Sequence, residues 1–421
     1  MTPLKSSPVW HPFTQHALQP TMTEIARGEG AWLETSKGRR ILDAISSWWV
    51  VTHGHRHPAI VAAIKAQADC LDQVIFAGFT HEPAERLARG LLKIAPAGLS
   101  HVFFSDSGST SVEVALKMAL GYWHNIGEPR HRILALEHGY HGDTIGGMSV
   151  GARGVFNAAY EPLLFEVGRI PFPSKGHEQD AIDVLDTVCA EGDVAALIVE
   201  PLILGAGGML MYSADALSEM KRVCERYGVL FIADEVMTGW GRTGTLFACE
   251  QSNIAPDIMC LAKGLTGGSL PLAVTLCAPQ IFEAHLSADR AKTFFHSSSY
   301  TANPIACAAA LANLEVWDSE PVNKRIATLV KRQADRLEAL RGDSRFKNVR
   351  QLGTITAFDL DVRDAGYLAG IGPKLSASFL DMGVLLRPLG NTIYVMPPYG
   401  ITGKELDLVY GAIAAAADAT I

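Results

Sequence analysis

The 421-residue chain predicts an α/β protein, with a mostly parallel sheet covered by helices on both faces and a smaller α+β domain after it. Three observations carry that expectation. Between residues 58 and 320, short wholly apolar runs alternate with helical periods, and a strand that is apolar along its whole length belongs in a parallel sheet buried on both faces. Beyond residue 320 the alternation stops and the pattern becomes a helix, short strands and a closing helix. The length itself exceeds one ordinary core and suits a large domain with a smaller companion. The expected division is an N-terminal segment 1–57 joining the small domain, a large domain 58–320 and a small C-terminal domain 321–421.

Taken in order, the chain first shows Trp10-His11-Pro12-Phe13-Thr14, extended or turned because proline restricts itself and its predecessor. A hairpin follows, with Ala31-Trp32-Leu33-Glu34 and Arg40-Ile41-Leu42-Asp43 flanking the turn Ser36-Lys37-Gly38. Next stand Ser46-Ser47-Trp48-Trp49. Paired tryptophans serve as core mass, but on a strand neighbours face opposite ways, so one indole would be buried while the other looks into a pocket. In the large domain, strands are expected at 101–105, 132–137, 195–200, 229–233, 258–262 and 272–277, with amphipathic helices such as 214–227 between several of them. The last run follows its predecessor so closely that a tight antiparallel connection is expected there. A long helix over 303–316 leaves this domain. The small domain should hold a helix over 324–340, strands at 355–360, 384–386 and 392–396, and a closing helix over 404–418.

Several of these strand ends carry chemistry. Ser105-Asp106-Ser107-Gly108-Ser109-Thr110 closes one strand and opens a helix over 111–123, with Thr110 and Glu113 spaced as a capping box. A small-residue turn at a helix N-terminus presents free N–H groups and the positive end of the dipole to a phosphate, although such turns also begin many helices that bind nothing. Glu137-His138-Gly139-Tyr140-His141-Gly142-Asp143 follows the next strand, and Tyr140 there is either a half-buried turn residue or a ring stacked on a flat cofactor. Phe231-Ile232-Ala233-Asp234-Glu235 ends an apolar run in a carboxylate, which must be paired where it is buried. The same pattern marks the magnesium-binding strand of P-loop ATPases, but the G-x-x-x-x-G-K-[ST] run that reading needs does not occur in the chain.

Gly239-Trp240-Gly241-Arg242-Thr243-Gly244 matches a dinucleotide-binding spacing, yet no clear long helix follows and no second strand ends in an acid at the required distance. Arg242 reads better as a planar fork for a carboxylate. Cys260-Leu261-Ala262-Lys263-Gly264 ends another apolar run in an amine. A lysine in a glycine-rich loop is ordinarily solvated, but burial lowers its pKa, by up to about 3–5 units when complete, and frees it to form an imine. Asp234 about 4 Å from a protonated ring nitrogen would gain roughly 4 kcal/mol at an effective dielectric of about 20. A carboxylate to hold a ring nitrogen and a lysine to form an imine, both at the strand ends that face a ligand crevice, are what a pyridoxal phosphate (PLP) enzyme needs. Ser297-Ser298-Ser299 supply three hydroxyls before a helix, as a cap or a second phosphate contact. Arg387, in Leu385-Leu386-Arg387-Pro388, is a late bidentate donor suited to a substrate carboxylate.

In this order Ser107-Gly108-Ser109, Gly139-Tyr140-His141-Gly142, Asp234-Glu235-Val236, Gly241-Arg242-Thr243-Gly244 and Lys263 resemble the class III aminotransferases of PLP fold type I, over nearly the whole chain. The resemblance implies pyridoxal 5'-phosphate as cofactor, Lys263 as Schiff-base lysine and proton shuttle, Asp234 as pyridinium partner, and Gly108 and Ser109 as the phosphate cradle. Tyr140 would stack on the ring and line the substrate site. Phe13, Trp48 and Ser297 would lie at the substrate, with Arg387 and Arg242 on carboxylates. A homodimer is implied, its sites straddling the interface, with Ser298 and Ser299 reaching the phosphate bound by the other subunit. Trp10-His11-Pro12-Phe13-Thr14, Ser46-Ser47-Trp48-Trp49 and Arg387-Pro388 further resemble the branch that aminates 8-amino-7-oxononanoate, with adenosylmethionine as the default donor and lysine as the alternative. Another ω-aminotransferase activity, on a diamine, 4-aminobutyrate or β-alanine, is the rival reading. Two departures bear on the donor: Phe13 stands where tyrosine is usual, and Ser297-Ser298-Ser299 where Gly-Pro-Thr is common.

Composition excludes other classes. A formal net charge of −8 opposes the basic field that a nucleic-acid binder carries, and 48% hydrophobic against 19% charged residues excludes a disordered chain. The seven cysteines are odd in number, dispersed and never C-x-x-C, which indicates neither a disulfide framework nor a zinc cage and fits a reducing cytoplasm. The N-terminal stretch has no apolar signal core, and no apolar run is long enough to span a bilayer. The expectation is a cytoplasmic enzyme of small-molecule substrates, without nucleic-acid or membrane partners.

Overall fold

A computed structural model describes residues 2–3, 7–19, 21–363 and 365–420; residues 1 and 4–6 of the stretch read for a signal core, residue 20, residue 364 and residue 421 lie outside the described residues. Seven strands form the main sheet in the order His101–Ser105, Ala273–Cys277, Ile258–Leu261, Leu230–Asp234, Val194–Val199, Arg132–Leu136, Gly168–Ile170. Ala273–Cys277 runs antiparallel to both neighbours, as its short connection predicts, and the other pairs are parallel.

The central strands are buried along their whole length, and alternation sorts their side chains between the two faces. Leu197 and Phe231 pack with Leu185 of the helix Glu178–Cys189 and with Leu217 and Met220 of Ala214–Tyr227. Ile198 and Ile232 pack on the other face with Val112, Ala115 and Ala119 of the helix Gly108–Ile126. Near the opposite edge, Met259, Leu261, Val274 and Leu276 meet the helices Glu82–Ile94 and Pro304–Ser319.

Two smaller sheets flank this body. The expected hairpin forms from Trp32–Thr35 and Arg40–Asp43, and it grows to four strands with Ile25–Glu29 on one side and Val384–Leu385 on the other. Leu42 stands opposite Val384, so the start of the chain is stitched to its last quarter. An antiparallel three-stranded sheet of Phe346–Leu352, Ile355–Leu360 and Thr392–Val395 packs with the helices Val322–Arg341 and Gly403–Asp418.

Three observed strands of three or more residues, Ile25–Glu29, Gly168–Ile170 and Phe346–Leu352, were not expected. Each lies at an edge of its sheet, where one side needs no strand partner and charged residues are tolerated, so none carries the apolar run that marks the inner strands. The helix expected over 111–123 begins instead at Gly108. Ser107 is its cap: the hydroxyl accepts the Thr110 N–H, and the Thr110 hydroxyl accepts the Ser107 N–H. Glu113 takes no part, and its carboxylate accepts the Gly146 N–H at 2.6 Å. Among the described residues no helix is long and apolar enough to cross a membrane.

Candidate active site

Parallel pairing sets Asp234 opposite Cys260, three residues before Lys263. The carboxylate and the amine therefore leave adjacent strands at the same edge of the sheet. Both line a cavity of about 380 Å³, within the size range of small-molecule sites.

Lys263 has φ +48, a left-handed conformation that costs a side-chain-bearing residue about 1–3 kcal/mol and persists only where the surroundings enforce it. Here the enforcing contacts are tight. A Cβ on Gly268, which closes the same loop at φ +86, would stand 2.6 Å from the Val50 carbonyl, so the loop lies directly against that backbone. The Lys263 amine sits 4.7 Å from the centre of the Trp49 ring. Burial pulls its pKa down to about 8, against the opposing pull of the Asp234 and Glu200 carboxylates. An amine must lose its proton before it attacks an aldehyde. The rate at which cofactor-free protein captures pyridoxal phosphate is accordingly expected to rise with pH and level off above about 8, followed by absorbance in stopped flow. A solvated lysine would go on rising towards its ordinary value of about 10.4.

Asp234 is 4% exposed. One carboxylate oxygen accepts the Val236 N–H at 3.1 Å and the other pairs with His141 Nδ1 at 2.7 Å. His141 is buried as well, and its Nε2 has no hydrogen-bond partner among the described residues. The imidazole thus backs the carboxylate and fixes its orientation, as outer partners do around catalytic groups.

Tyr140 lines the cavity. Burial, then the neighbouring Asp143, raises the pKa of its phenol far above the ordinary value, so the hydroxyl keeps its proton at neutral pH. Its backbone N–H is held at 2.9 Å by Glu200, whose other oxygen accepts the Gly205 N–H at 3.0 Å. Burial lifts the Glu200 pKa to about 7, aided by Asp234 and opposed by His141 and the two N–H donors. Gly108 and Ser109 open the helix at the cavity wall. A Cβ on Gly108 would stand 2.6 Å from Val236 Cγ1, so only glycine lets the helix end approach Val236 this closely.

A helix N-terminus for a phosphate, a buried carboxylate for a ring nitrogen and an amine of lowered pKa for an aldehyde fit pyridoxal 5'-phosphate. When bound, that group supplies an electron sink for a substrate carbon that loses its proton.

The structure gathers other expected residues beside this cavity. The Arg387 guanidinium stands 4.7 Å from the centre of the Trp48 ring and 5.7 Å from that of Phe13, and the two rings lie 5.6 Å apart. Phe156 joins this group to the cavity, 6.0 Å from Phe13, 6.4 Å from Tyr140 and 4.5 Å from Tyr367. No motif contains Phe156 or Glu200, and Gly139-Tyr140-His141-Gly142 contains His141 without revealing its contact with Asp234.

Two expectations are corrected. Ser46–Trp49 is a kinked helical turn, not a strand, with positive φ at Ser46, Ser47 and Trp49. Trp49 is the tryptophan on the wall of the Lys263 cavity, while Trp48, 43% exposed, belongs to the Arg387 group. Arg242 is no carboxylate fork: it is 1% exposed, and its guanidinium donates to the carbonyls of Pro397 at 2.9 Å and Val51 at 3.0 Å, above the Tyr399 ring. Its turn packs so closely that a Cβ on Gly241 would meet Ile326 and Trp317, which pins the arginine inside the protein. Ser297 does not line this cavity, and neither do Ser298 and Ser299, whose expected contact is the other subunit's phosphate; the Ser298 hydroxyl accepts the Tyr300 N–H.

Residues 13–417 match the family Aminotransferase class-III. The chain is 49% identical to the adenosylmethionine-8-amino-7-oxononanoate aminotransferase of Synechococcus elongatus over 96% of this chain and 97% of that protein. It is 39% identical to the protein of the same name from Geobacter sulfurreducens, over 95% and 93%. Among solved structures, the adenosylmethionine-8-amino-7-oxononanoate aminotransferase of Methanocaldococcus jannaschii superposes with a TM-score of 0.93 at 35% identity, covering 98% of this chain and 97% of that one. An amine transaminase from an uncultivated Pseudomonas species, solved in its PLP-bound form, superposes with a TM-score of 0.91 at 35% identity, over 97% and 98%. With the lysine, carboxylate and helix end in place, the chain belongs to the class III aminotransferases, pyridoxal 5'-phosphate enzymes of fold type I.

Proposed function

We propose that this enzyme transfers an amino group from adenosylmethionine to 8-amino-7-oxononanoate and so makes 7,8-diaminononanoate for biotin synthesis. The relatives' shared name supports the reading. The observation that carries it here is the aromatic-walled arginine: Arg387 over Trp48 and Phe13, joined through Phe156 to Tyr140. A long-chain amino-keto acid needs a bidentate anchor for its carboxylate, apolar walls for its methylenes and a nearby amine.

In this reading Lys263 takes the proton from the donor's carbon and hands it on, then runs the transfer in reverse for the acceptor, in a ping-pong sequence. Asp234, oriented by His141, holds a proton on the ring nitrogen. Tyr140 donates from a phenol that stays protonated, and Glu200 ties the Tyr140 backbone in place. Lysine as donor is the second reading, favoured by the missing hydroxyl at Phe13. We place the enzyme in the cytoplasm as a homodimer. Exposed Ile75, Phe79, Phe295 and Tyr300 lie on two loops tied together by the Gln73 side chain, which donates to the Ser299 carbonyl. An apolar patch of this kind marks an interaction surface and would carry Ser298 and Ser299 to the other subunit's site.

Purified enzyme incubated with 8-amino-7-oxononanoate and a panel of donors tests the assignment. Formation of 7,8-diaminononanoate with adenosylmethionine is expected; turnover of putrescine or 4-aminobutyrate with none of this acceptor would refute it. Arg387→Ala should raise the KM for the acceptor by about 10- to 100-fold, the worth of a charge-assisted hydrogen bond.

A further inference from the structure

We propose that Asp43 is a positioning residue for the substrate site, acting through the strained turn that carries Trp48 and Trp49. Asp43 ends the strand Arg40–Asp43, is 0% exposed and does not line the cavity. Its carboxylate nonetheless gathers the start of the turn. It accepts the Ile45 N–H at 3.2 Å, the Ser47 N–H at 2.7 and 2.9 Å, and the Ser47 hydroxyl at 3.3 Å, and it pairs with His55 Nε2 at 2.8 Å.

The turn needs such a holder. Ser46, Ser47 and Trp49 have φ of +55, +58 and +66, and Ser47 has ψ −98, outside the left-handed helical region in which a non-glycine residue is tolerated. Backbone of this kind persists only where its surroundings over-determine it, and it gathers where geometry serves a site. The far end is held by the opposite charge. Arg242 donates to the Val51 carbonyl, the Ser46 hydroxyl donates to the Met396 carbonyl at 2.8 Å, and the Trp49 indole N–H donates to the Tyr394 hydroxyl at 3.0 Å. A buried carboxylate collects N–H groups at one end and a buried guanidinium collects carbonyls at the other.

What this clamp delivers is the placement of two indoles on two different functional groups, Trp49 at 4.7 Å from the Lys263 amine and Trp48 at 4.7 Å from Arg387. Without the charge on Asp43, Ser47 is free to relax to negative φ and both rings swing with it. The proposal rests on the reading of the Trp48 group as the acceptor's contact surface.

The test uses full-length Asp43→Asn, which keeps the side-chain volume and removes the charge. Expected are a KM for the acceptor raised by about tenfold or more, from displacement of Trp48, and a smaller fall in kcat, from displacement of Trp49 at the Lys263 amine. The near-ultraviolet circular dichroism of the tryptophans should change in the cofactor-free protein, with cofactor content of the holoenzyme retained. His55→Phe removes one donor and leaves the carboxylate, so it serves if Asp43→Asn does not fold; the same shifts are expected at about threefold in KM. If a folded variant lowers only the melting temperature, leaving both KM and the tryptophan signal as in the wild type, the proposal is overturned. Should the wild-type enzyme not use 8-amino-7-oxononanoate, the substrate assignment fails by itself. The tryptophan signal, and the KM for whichever acceptor is turned over, then still decide the role of Asp43.

Discussion

Lys263→Ala is expected to lower turnover by at least about 10⁴-fold while the protein still folds, because in the proposed mechanism it removes both the attacking amine and the group that moves the proton. Among the described residues lining the cavity, Lys263 is the only lysine, so no neighbour can substitute for it. The amine is poised in two ways that alanine cannot reproduce: its pKa is held near 8 by burial, and it is aimed by a backbone at φ +48 against the Trp49 ring. Alanine keeps the strained backbone and relieves the burial of an ammonium, so the melting temperature should move by no more than a few degrees. Steady-state turnover with thermal unfolding on the same preparation checks both halves of this statement. Turnover within about tenfold of the wild type in a folded variant would remove Lys263 from the mechanism.

The second large effect is expected at Asp234. An ion pair of roughly 4 kcal/mol with a protonated ring nitrogen corresponds to about 10³-fold in rate when it is lost. Asp234→Ala also deprives buried His141 of the partner that accepts from its Nδ1. Asp234→Asn separates the two contributions, since it keeps the shape and a hydrogen-bonding side chain but not the charge. If charge dominates, the asparagine variant should lie within about tenfold of the alanine one. Turnover and cofactor retention after dialysis measure this. The adjacent Glu235 provides a contrast. It is buried, accepts the Cys249 N–H at 2.8 Å and is bonded by the Thr238 hydroxyl, so it serves the fold beneath the site.

The pairing of Asp234 with Lys263 is legible in sequence because both follow strands buried on two faces, and such strands advertise themselves as unbroken apolar runs. Ile25–Glu29, Gly168–Ile170 and Phe346–Leu352 lie at sheet edges and are interrupted by charged or glycine residues, which is why they escape a reading by periodicity, whereas the apolar edge strand His101–Ser105 does not. The turns mislead for a different reason. A residue at positive φ breaks the alternation from which side-chain direction is inferred, so the roles of Trp48 and Trp49 could not be sorted along a supposed strand. Arg242 looks the same in sequence whether its fork meets a ligand or two carbonyls. The groups that complete the site are brought together only by the fold: His141 meets Asp234 across 93 positions and Glu200 meets Tyr140 across 60.

A single-turnover experiment examines the central claim. Enzyme is loaded with the amino group of adenosylmethionine, freed of donor by gel filtration and mixed with 8-amino-7-oxononanoate. The account predicts close to one equivalent of 7,8-diaminononanoate per active site, with return of the absorbance of the lysine-bound cofactor. Loaded enzyme that ignores this acceptor yet gives up its amino group to the aldehyde derived from 4-aminobutyrate or putrescine would contradict it.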